Sequence, residues 1–294
     1  MKIEGECFDL IGDVHGHLEL LLQMIARLGY YKKGSSFFHP KGRKIVLVGD
    51  LINRGPDSTG VLKLVKLLHQ SGIAHVCMGN HEFRLLQQAQ QNPSKVPAKF
   101  LPYLDWLRII PFFLEGETCR VVHAAWHYSS IEILRGKIAG DDVFLAKTLQ
   151  KSSPEQQAVD LVLGGIKVSL PETPILYDRF NIPRKKARIK WWLNLEKRSF
   201  ADSLYSPMQP EIHNQFPNPG EIGIIEPYLK EDPIVFLGHY CLPPIIPKIM
   251  EQVVCLDGCV TCDQVLWAYR HNGEPEPEER NLVSCPASKK LYFS

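Results

Sequence analysis

Residues 7–16, Cys-Phe-Asp-Leu-Ile-Gly-Asp-Val-His-Gly, decide the reading of this chain. Cys7 to Ile11 is a short, mostly apolar run closed by glycine, which predicts a buried strand. Asp13 and His15 follow two residues apart, a spacing that can aim both side chains at one point in an extended or turning segment. Gly16 permits a backbone angle that a larger residue resists. Leu18, Leu21, Leu22 and Ile25 then recur at helical spacing, with Gly29 as a C-terminal stop. Taken alone, the stretch also fits an ordinary strand-to-helix turn with a capping Asp and a surface His. The segments around it decide between the two.

Two further strings repeat the design. Lys44 to Val48 is a strand candidate rich in β-branched residues. Gly49-Asp50 ends it, and Asn53-Arg54-Gly55-Pro56 follows. A helix then carries Val61, Leu64, Val65 and Leu68 on one face, with Asp57 or Ser58 as N-cap. Ala74 to Met78 is a third strand candidate. Gly79-Asn80-His81-Glu82 closes it, and Phe83 to Gln91 reads as helix. Alternating strands and helices predict an α/β fold with a parallel sheet and right-handed crossovers. Sites in such sheets gather at the carboxyl ends of strands, where all three strings fall.

Asp, His and Asn supply oxygen and imidazole ligands, which suit Mn2+, Fe or Zn2+ better than an ion selected by thiolates. Val121-Val122-His123 and Phe236-Leu237-Gly238-His239 end two more apolar runs. Either histidine alone reads equally well as a satisfied buried side chain. Their places after strand-like runs, behind three stronger strings, point to ligation. The candidate ligands are then Asp13, His15, Asp50, Asn80, His123 and His239. Six protein ligands are too many for one open catalytic ion and suit two, with Asp50 as the bridge. Such a pair can activate a water and clamp a phosphoryl oxygen.

Together these strings resemble the calcineurin-like metallophosphoesterases, and within them the phosphoprotein-phosphatase branch. That branch includes Ser/Thr protein phosphatases, bacterial diadenosine tetraphosphatase and bacterial polynucleotide kinase-phosphatase. The motifs run in the family's order from residue 12 to residue 239. The resemblance sharpens the fold to two facing mixed β-sheets flanked by helices. It implies that Asp13 and His15 bind one metal, that Asp50 bridges, and that Asn80, His123 and His239 bind the other. Mn2+ comes first as the ion, with Fe, Zn or Ni as alternatives. It also implies that a metal-held hydroxide attacks phosphorus while His81 protonates the leaving group. Arg54, Asn80 and a later arginine would contact the substrate phosphate. A guanidinium fork matches phosphate oxygens, and an imidazole titrates near neutrality, which supports both roles.

The chain departs from the family at Asn53, where many members carry an Asp paired with the catalytic His. Asn53 can orient the His81 ring but supplies no charge, so a less basic His81 is expected. Glu82 reads as a helix N-terminal acid favoured by the dipole. For the later arginine, residues 179–198 offer many cations, and Arg188 in Ala187-Arg188-Ile189-Lys190-Trp191-Trp192 is chosen. Basic residues interleaved with tryptophans could also bind nucleic acid, but tryptophans packed on the core are favoured.

Composition fits an enzyme of the cytoplasm. The 294 residues are 45% hydrophobic and 22% charged, with a net charge of +2. That balance exerts no strong pull on polyanions or membranes. No run of about 18 apolar residues suggests a membrane span, and Met-Lys-Ile-Glu-Gly-Glu lacks a signal-peptide apolar region. Of eight cysteines, Cys77, Cys119 and Cys255 read as small buried hydrophobes. Cys259-Val260-Thr261-Cys262 reads as part of a hairpin rather than a zinc or redox site.

Residues 1–294 read as one domain, with residues 128–232 a mostly helical insert. Asp141 to Gln150, Pro154 to Leu163 and Trp191 to Leu204 are its expected helices, and Pro207 to Pro219 a loop. The sheet resumes at Ile234, Val253 and Gln264, and Asn272-Gly273 signals a turn. The expected substrate is a phosphomonoester or related phosphate ester. Dinucleoside polyphosphates and nucleic-acid ends are the alternatives, and a non-catalytic phosphate- or nucleotide-binding module is the alternative of another class.

Overall fold

A computed structural model describes the chain apart from residues 6, 35, 206–209, 224, 245, 247 and 288–294. The chain opens with strand β1 (Phe8–Ile11), helix α1 (Leu18–Arg27), a hairpin of β2 (Tyr31–Lys33) and β3 (Ser36–Phe38), then β4 (Lys44–Leu47). Helix α2 (Ser58–Gln70), β5 (Ala74–Val76) and α3 (Asn80–Gln91) complete the first unit. A short α4 (Leu104–Leu107) leads to β6 (Phe113–Glu115) and β7 (Cys119–Val122). Helices α5 (Tyr128–Leu134), α6 (Asp142–Thr148) and α7 (Pro154–Gly164) follow, then β8 (Lys167–Ser169), β9 (Leu176–Tyr177), β10 (Pro183–Arg184) and β11 (Lys186–Arg188). After α8 (Phe200–Ser203) and α9 (Pro219–Ile222) come β12 (Ile234–Leu237), β13 (Ile249–Met250), β14 (Val253–Cys255), α10 (Val260–Asp263), β15 (Val265–His271) and β16 (Leu282–Pro286).

The strands build two five-stranded sheets, in the orders β16-β15-β1-β4-β5 and β13-β14-β12-β7-β6. Both are mixed: in the first, parallel β1, β4 and β5 run to one edge and antiparallel β15 and β16 to the other, while in the second, parallel β14, β12 and β7 are flanked by antiparallel β13 and β6. The strand period of two explains why the central runs are apolar on both faces. Phe8, Leu10, Val46 and Val48 point from the first sheet into the layer shared with Val121, Phe236, Val254 and Leu256 of the second. The alternate residues Ile11, Ile45 and Leu47 pack outward with Leu21, Ile25, Val61 and Val65 of α1 and α2. At the carboxyl ends the sheets nearly touch. A Cβ on Gly12 would lie 2.1 Å from the Leu256 carbonyl oxygen, so only glycine fits there.

Asp57 caps α2 by accepting the Gly60 N–H at 2.7 Å, which selects between the two cap candidates. The β2–β3 hairpin is an addition to the simple β-α alternation. Its turn contains Gly34 at φ +63°, between residues that favour strands. The segment 128–232 is helical mainly in α5–α7. The helix expected over Trp191–Leu204 reduces to Phe200–Ser203. Trp191 and Trp192 are both buried although adjacent, whereas one helical face would hide only one of them, and Lys197 turns at φ +59°. Pro207 to Gln209 of the expected loop lie outside the described residues. Cys259 to Cys262 enter the short helix α10 instead of a hairpin, with Cys259 and Gln264 in left-handed conformations at its two ends. Among the described residues, no helix is long and apolar enough to cross a membrane.

Candidate dinuclear metal centre

Six strand-like runs deliver polar side chains to one edge of the two sheets. Asp13 follows β1, Asp50 follows β4, Asn80 opens α3 after β5, His123 follows β7, His239 follows β12, and Asp257 follows β14. Asp50 stands between two groups. One of its oxygens is 3.6 Å from His15 Nε2 and 3.9 Å from His81 Nε2, and the other is 3.4 Å from His123 Nε2. Ligand atoms of His15, Asp50 and His81 lie within 4.8 Å of one another, as do those of Asp50, His123 and His239. Asp13 reaches the first group, 3.9 Å from His15 Nε2.

Hydrogen bonds decide which ring nitrogens are free. A carbonyl only accepts, so His15 Nδ1–H donates to Ile52 (3.0 Å) and His123 Nδ1–H donates to Val48 (2.9 Å). In His15 and His123 the remaining nitrogen, Nε2, is then a lone pair aimed inward, the arrangement that orients metal-binding histidines. His239 Nε2 lies between a carbonyl that only accepts, Gly164 at 3.1 Å, and a guanidinium that only donates, Arg188 Nη2 at 2.7 Å. The Asn80 amide lies 3.0 Å from His123 Nε2 and 2.8 Å from His239 Nδ1. With its nitrogen there, the amide donates to both rings. With its oxygen there, the lone pairs of the amide and of His123 Nε2 face each other with no donor between them, which a cation would reconcile.

The carboxylates fit the same group. Asp13 is buried, its Oδ2 accepts the His239 N–H at 3.0 Å, and its Oδ1 has no partner. Burial, with the charges of Asp257 and Asp50, pushes this carboxyl well above its usual range. A buried anion in that position calls for a compensating cation. Burial also opposes ionisation of Asp50, but His123, His15 and His81 outweigh it and hold that carboxyl below its usual range. The donor set of carboxylates, imidazoles and an amide suits divalent ions.

Much of this backbone is strained. His15, Asp50, Asn53, Arg54 and His239 all adopt positive φ, from 43° to 70°. Each such residue costs about 1–3 kcal/mol and persists only because its surroundings impose it. Glu82 supplies the imposition around Asp50. It is buried and accepts the N–H groups of Asp50, Leu51 and Ile52 at 2.9, 2.9 and 3.1 Å. Glu82 does stand in the first turn of α3, as expected, but its carboxylate faces inward and clamps the loop of residues 50–52. Burial, with Asp50 nearby, raises its pKa to about 7.

Asn53 Nδ2 lies 2.8 Å from His81 Nδ1. With that nitrogen donating, the His81 proton sits on Nε2, facing Asp50. Burial is the main cause that pushes His81 down to about 4, with Asp50 working the other way and His15 and Arg54 adding to the drop. Exposed Arg54 reaches over the site, its Nη1 at 3.2 Å from His15 Nε2. Half-buried Arg188 arrives from β11, with Nη2 2.7 Å from His239 Nε2 and Nε donating to the Gly164 carbonyl at 3.3 Å.

Every site residue expected from the sequence is thus brought into one cluster. Missed were the Glu82 clamp, the Gly164 carbonyl and Asp257. Asp257 accepts the N–H groups of Cys241 and Cys259 at 2.6 and 2.8 Å, and a disulfide joins those two cysteines. Asp257 follows an apolar run and precedes a glycine as Asp13 does in reverse order, a signal that could have flagged it.

The family model described as calcineurin-like phosphoesterase matches residues 8–263. The chain belongs to the calcineurin-like phosphoesterase family. Its relatives include an asymmetrical bis(5'-nucleosyl)-tetraphosphatase PrpE of Oceanobacillus iheyensis, 45% identical over 84 residues, or 29% of this chain and 34% of that protein. A symmetrical bis(5'-nucleosyl)-tetraphosphatase of Chromohalobacter salexigens is 34% identical over 163 residues, or 46% of this chain and 54% of that protein. The chain therefore spans about a third to a half of the length of these family relatives. A crystal structure of a candidate diadenosine tetraphosphatase aligns over 99% of this chain and 98% of its own, with TM-score 0.51 and 16% identity. A cold-active protein-tyrosine phosphatase of a Shewanella species aligns over 97% and 82%, with TM-score 0.51 and 15% identity. At that identity, both structures speak to the family fold alone.

Proposed function

We propose that this chain hydrolyses phosphate esters with two divalent metal ions, Mn2+ first among them. The observation that carries the reading is the position of Asp50, shared between the His15–His81 and His123–His239 groups. Asp13 and His15 would hold one ion and Asn80, His123 and His239 the other. When bound, such ions supply an activated water and neutralise phosphoryl oxygens. The chain's own residues position and protonate. Arg54 and Arg188 present N–H forks to the phosphoryl oxygens. The water oxygen forms the new P–O bond as the bond to the leaving group breaks, and its proton passes to solvent. Protonated His81, as the imidazolium, gives its Nε2 proton to the departing oxygen, is left neutral and regains a proton from solvent. Asn53 holds the orientation of the ring.

The same proposal takes residues 1–294 as one domain of a cytoplasmic enzyme, with 128–232 inserted. Arg188 and the Gly164 carbonyl of that segment meet His239, which supports treating it as part of the site. Nucleic-acid ends lose support because buried Trp191 and Trp192 offer no face for stacking bases. Dinucleoside polyphosphates gain support from the names of the relatives. The presence of His81 beside a full ligand set argues against a binding module without turnover.

The test is p-nitrophenyl phosphate turnover with added Mn2+. Hydrolysis that a chelator abolishes and that Asp50→Asn removes is expected. No hydrolysis by protein with metal demonstrably bound overturns the reading.

A further inference from the structure

A cleft of about 480 Å3 opens beside Asn80 and His239 and runs between α3, the end of α7 and the antiparallel β8–β11 pair. Arg84, Lys167, Lys186 and Arg188 line it, opposed there by a single carboxylate, Asp160. Among the described residues, none of Arg84, Lys167 and Lys186 lies within 4.0 Å of a carboxylate. The register of that pair makes the arrangement costly. Arg188 pairs directly across the ladder with Lys167, and Lys186 lies two residues from Arg188 on the same face. Like charges placed directly opposite each other on a sheet destabilise it. Burial and Arg188 together lower the Lys167 pKa, with Arg84 and Lys186 adding to the drop. Arg84 follows Asn80 by four residues on α3, so it stands one helical turn, about 5.4 Å, further from the metal centre along the same face. The cations therefore continue outward from the candidate ligands Asn80 and His239.

We propose that this cleft is a subsite for the second and later phosphates of a linked phosphate chain, with Arg84, Lys167 and Lys186 as the residues that set preference for such substrates. It rests on the phosphoesterase reading and narrows it. A monoester leaves the cleft to water, while an oligophosphate spans it and neutralises the crowded cations. Lysines and an arginine on exposed stems serve as charge contacts to phosphate oxygens.

The experiment compares wild type with Lys167→Ala/Lys186→Ala and with Arg84→Ala. Substrates are p-nitrophenyl phosphate, inorganic tripolyphosphate and diadenosine tetraphosphate, all with Mn2+. The double variant is expected to lose about ten- to a hundred-fold in kcat/KM on the two phosphate chains, the range for one or two lost charge-assisted contacts. Its p-nitrophenyl phosphate turnover should stay within about two-fold, which also reports that it folds. Loss on diadenosine tetraphosphate alone would assign the subsite to nucleotides, and equal loss on tripolyphosphate assigns it to the phosphate chain itself. Equal losses on all three substrates, or none, overturn the proposal. Inhibition supplies the second measurement: pyrophosphate should inhibit wild type more strongly than orthophosphate, and the difference should vanish in the double variant. If no substrate turns over, the phosphoesterase reading fails. Pyrophosphate binding by calorimetry, compared between wild type and the double variant, then decides the subsite by itself.

Discussion

Asp9 and Asp13 lie four residues apart, on β1 and on the loop that leaves it, and both are buried. Each has one buried oxygen without a hydrogen-bond partner, but only Asp9 is paired with arginines. One oxygen of Asp9 accepts from Arg43 Nε at 3.0 Å and Arg270 Nε at 3.2 Å, so the fold itself neutralises the charge. Arg43 is in turn held by the carbonyls of Phe8 and His271, each at 2.7 Å. Asp13 has one backbone N–H on Oδ2 and nothing on Oδ1, and no lysine or arginine pairs with it among the described residues. One carboxylate is built into the scaffold; the other faces a cluster of lone pairs that a divalent ion would satisfy. The start of the strand is thus designed for stability and its end for chemistry.

The comparison can be broken most severely at the bridge. Asp50→Asn removes the ligand shared by both groups and is expected to lower kcat/KM on p-nitrophenyl phosphate by about a thousand-fold, the equivalent of several kcal/mol of charge stabilisation. Retention of wild-type turnover would show that Asp50 does not bridge. The next effect contrasts the two aspartates directly. Asp9→Asn leaves buried Arg43 without its counter-charge and should cost about 3–5 kcal/mol in urea unfolding. Asp13→Asn removes an uncompensated buried charge, so the chelator-treated variant should unfold at a higher urea concentration than chelator-treated wild type. Shifts of the same sign would erase the distinction. Smaller again is Glu82→Gln, which loosens the three N–H bonds around Asp50 and should lower Mn2+ affinity or activity about ten- to a hundred-fold, read by metal titration.

The smallest effect concerns charge added to the site. Asn53→Asp would set a carboxylate about where the amide meets His81 Nδ1, 2.8 Å away. An adjacent anion raises an imidazole pKa. A general acid fails as pH climbs past its pKa, so the alkaline limb of the pH–rate profile should move to higher pH, by about one unit. An unmoved alkaline limb would count against coupling between residue 53 and His81.

The sheets were legible because their strands are local apolar runs, and the ligands because each sits within a few residues of a strand end. Glu82 was legible as a residue but not as a clamp, since its partners lie 30 to 32 positions earlier in the chain. Asp9 hid inside a run read as apolar, its arginine partners being 34 and 261 residues away. The Trp191–Leu204 segment misled because its charge and aromatic content resemble an amphipathic helix, whereas two adjacent buried tryptophans require turns. Asn53, by contrast, was read correctly as the neighbour of His81, because both belong to strings with a recognisable order.

Order along the chain was enough to name the candidate ligands, Asp50 as the candidate bridge, His81 and Arg54, since short-range backbone preferences dictate strand, turn and helix around each. Only the tertiary structure decided which carboxylate receives arginines, how His239 meets both the Gly164 carbonyl and Arg188, and that three cations with no carboxylate partner among the described residues line one cleft. Those outcomes depend on charges and lone pairs brought within a few ångströms from distant parts of the chain. Electrostatic compensation in a buried site is a property of that three-dimensional neighbourhood and leaves no local pattern to read.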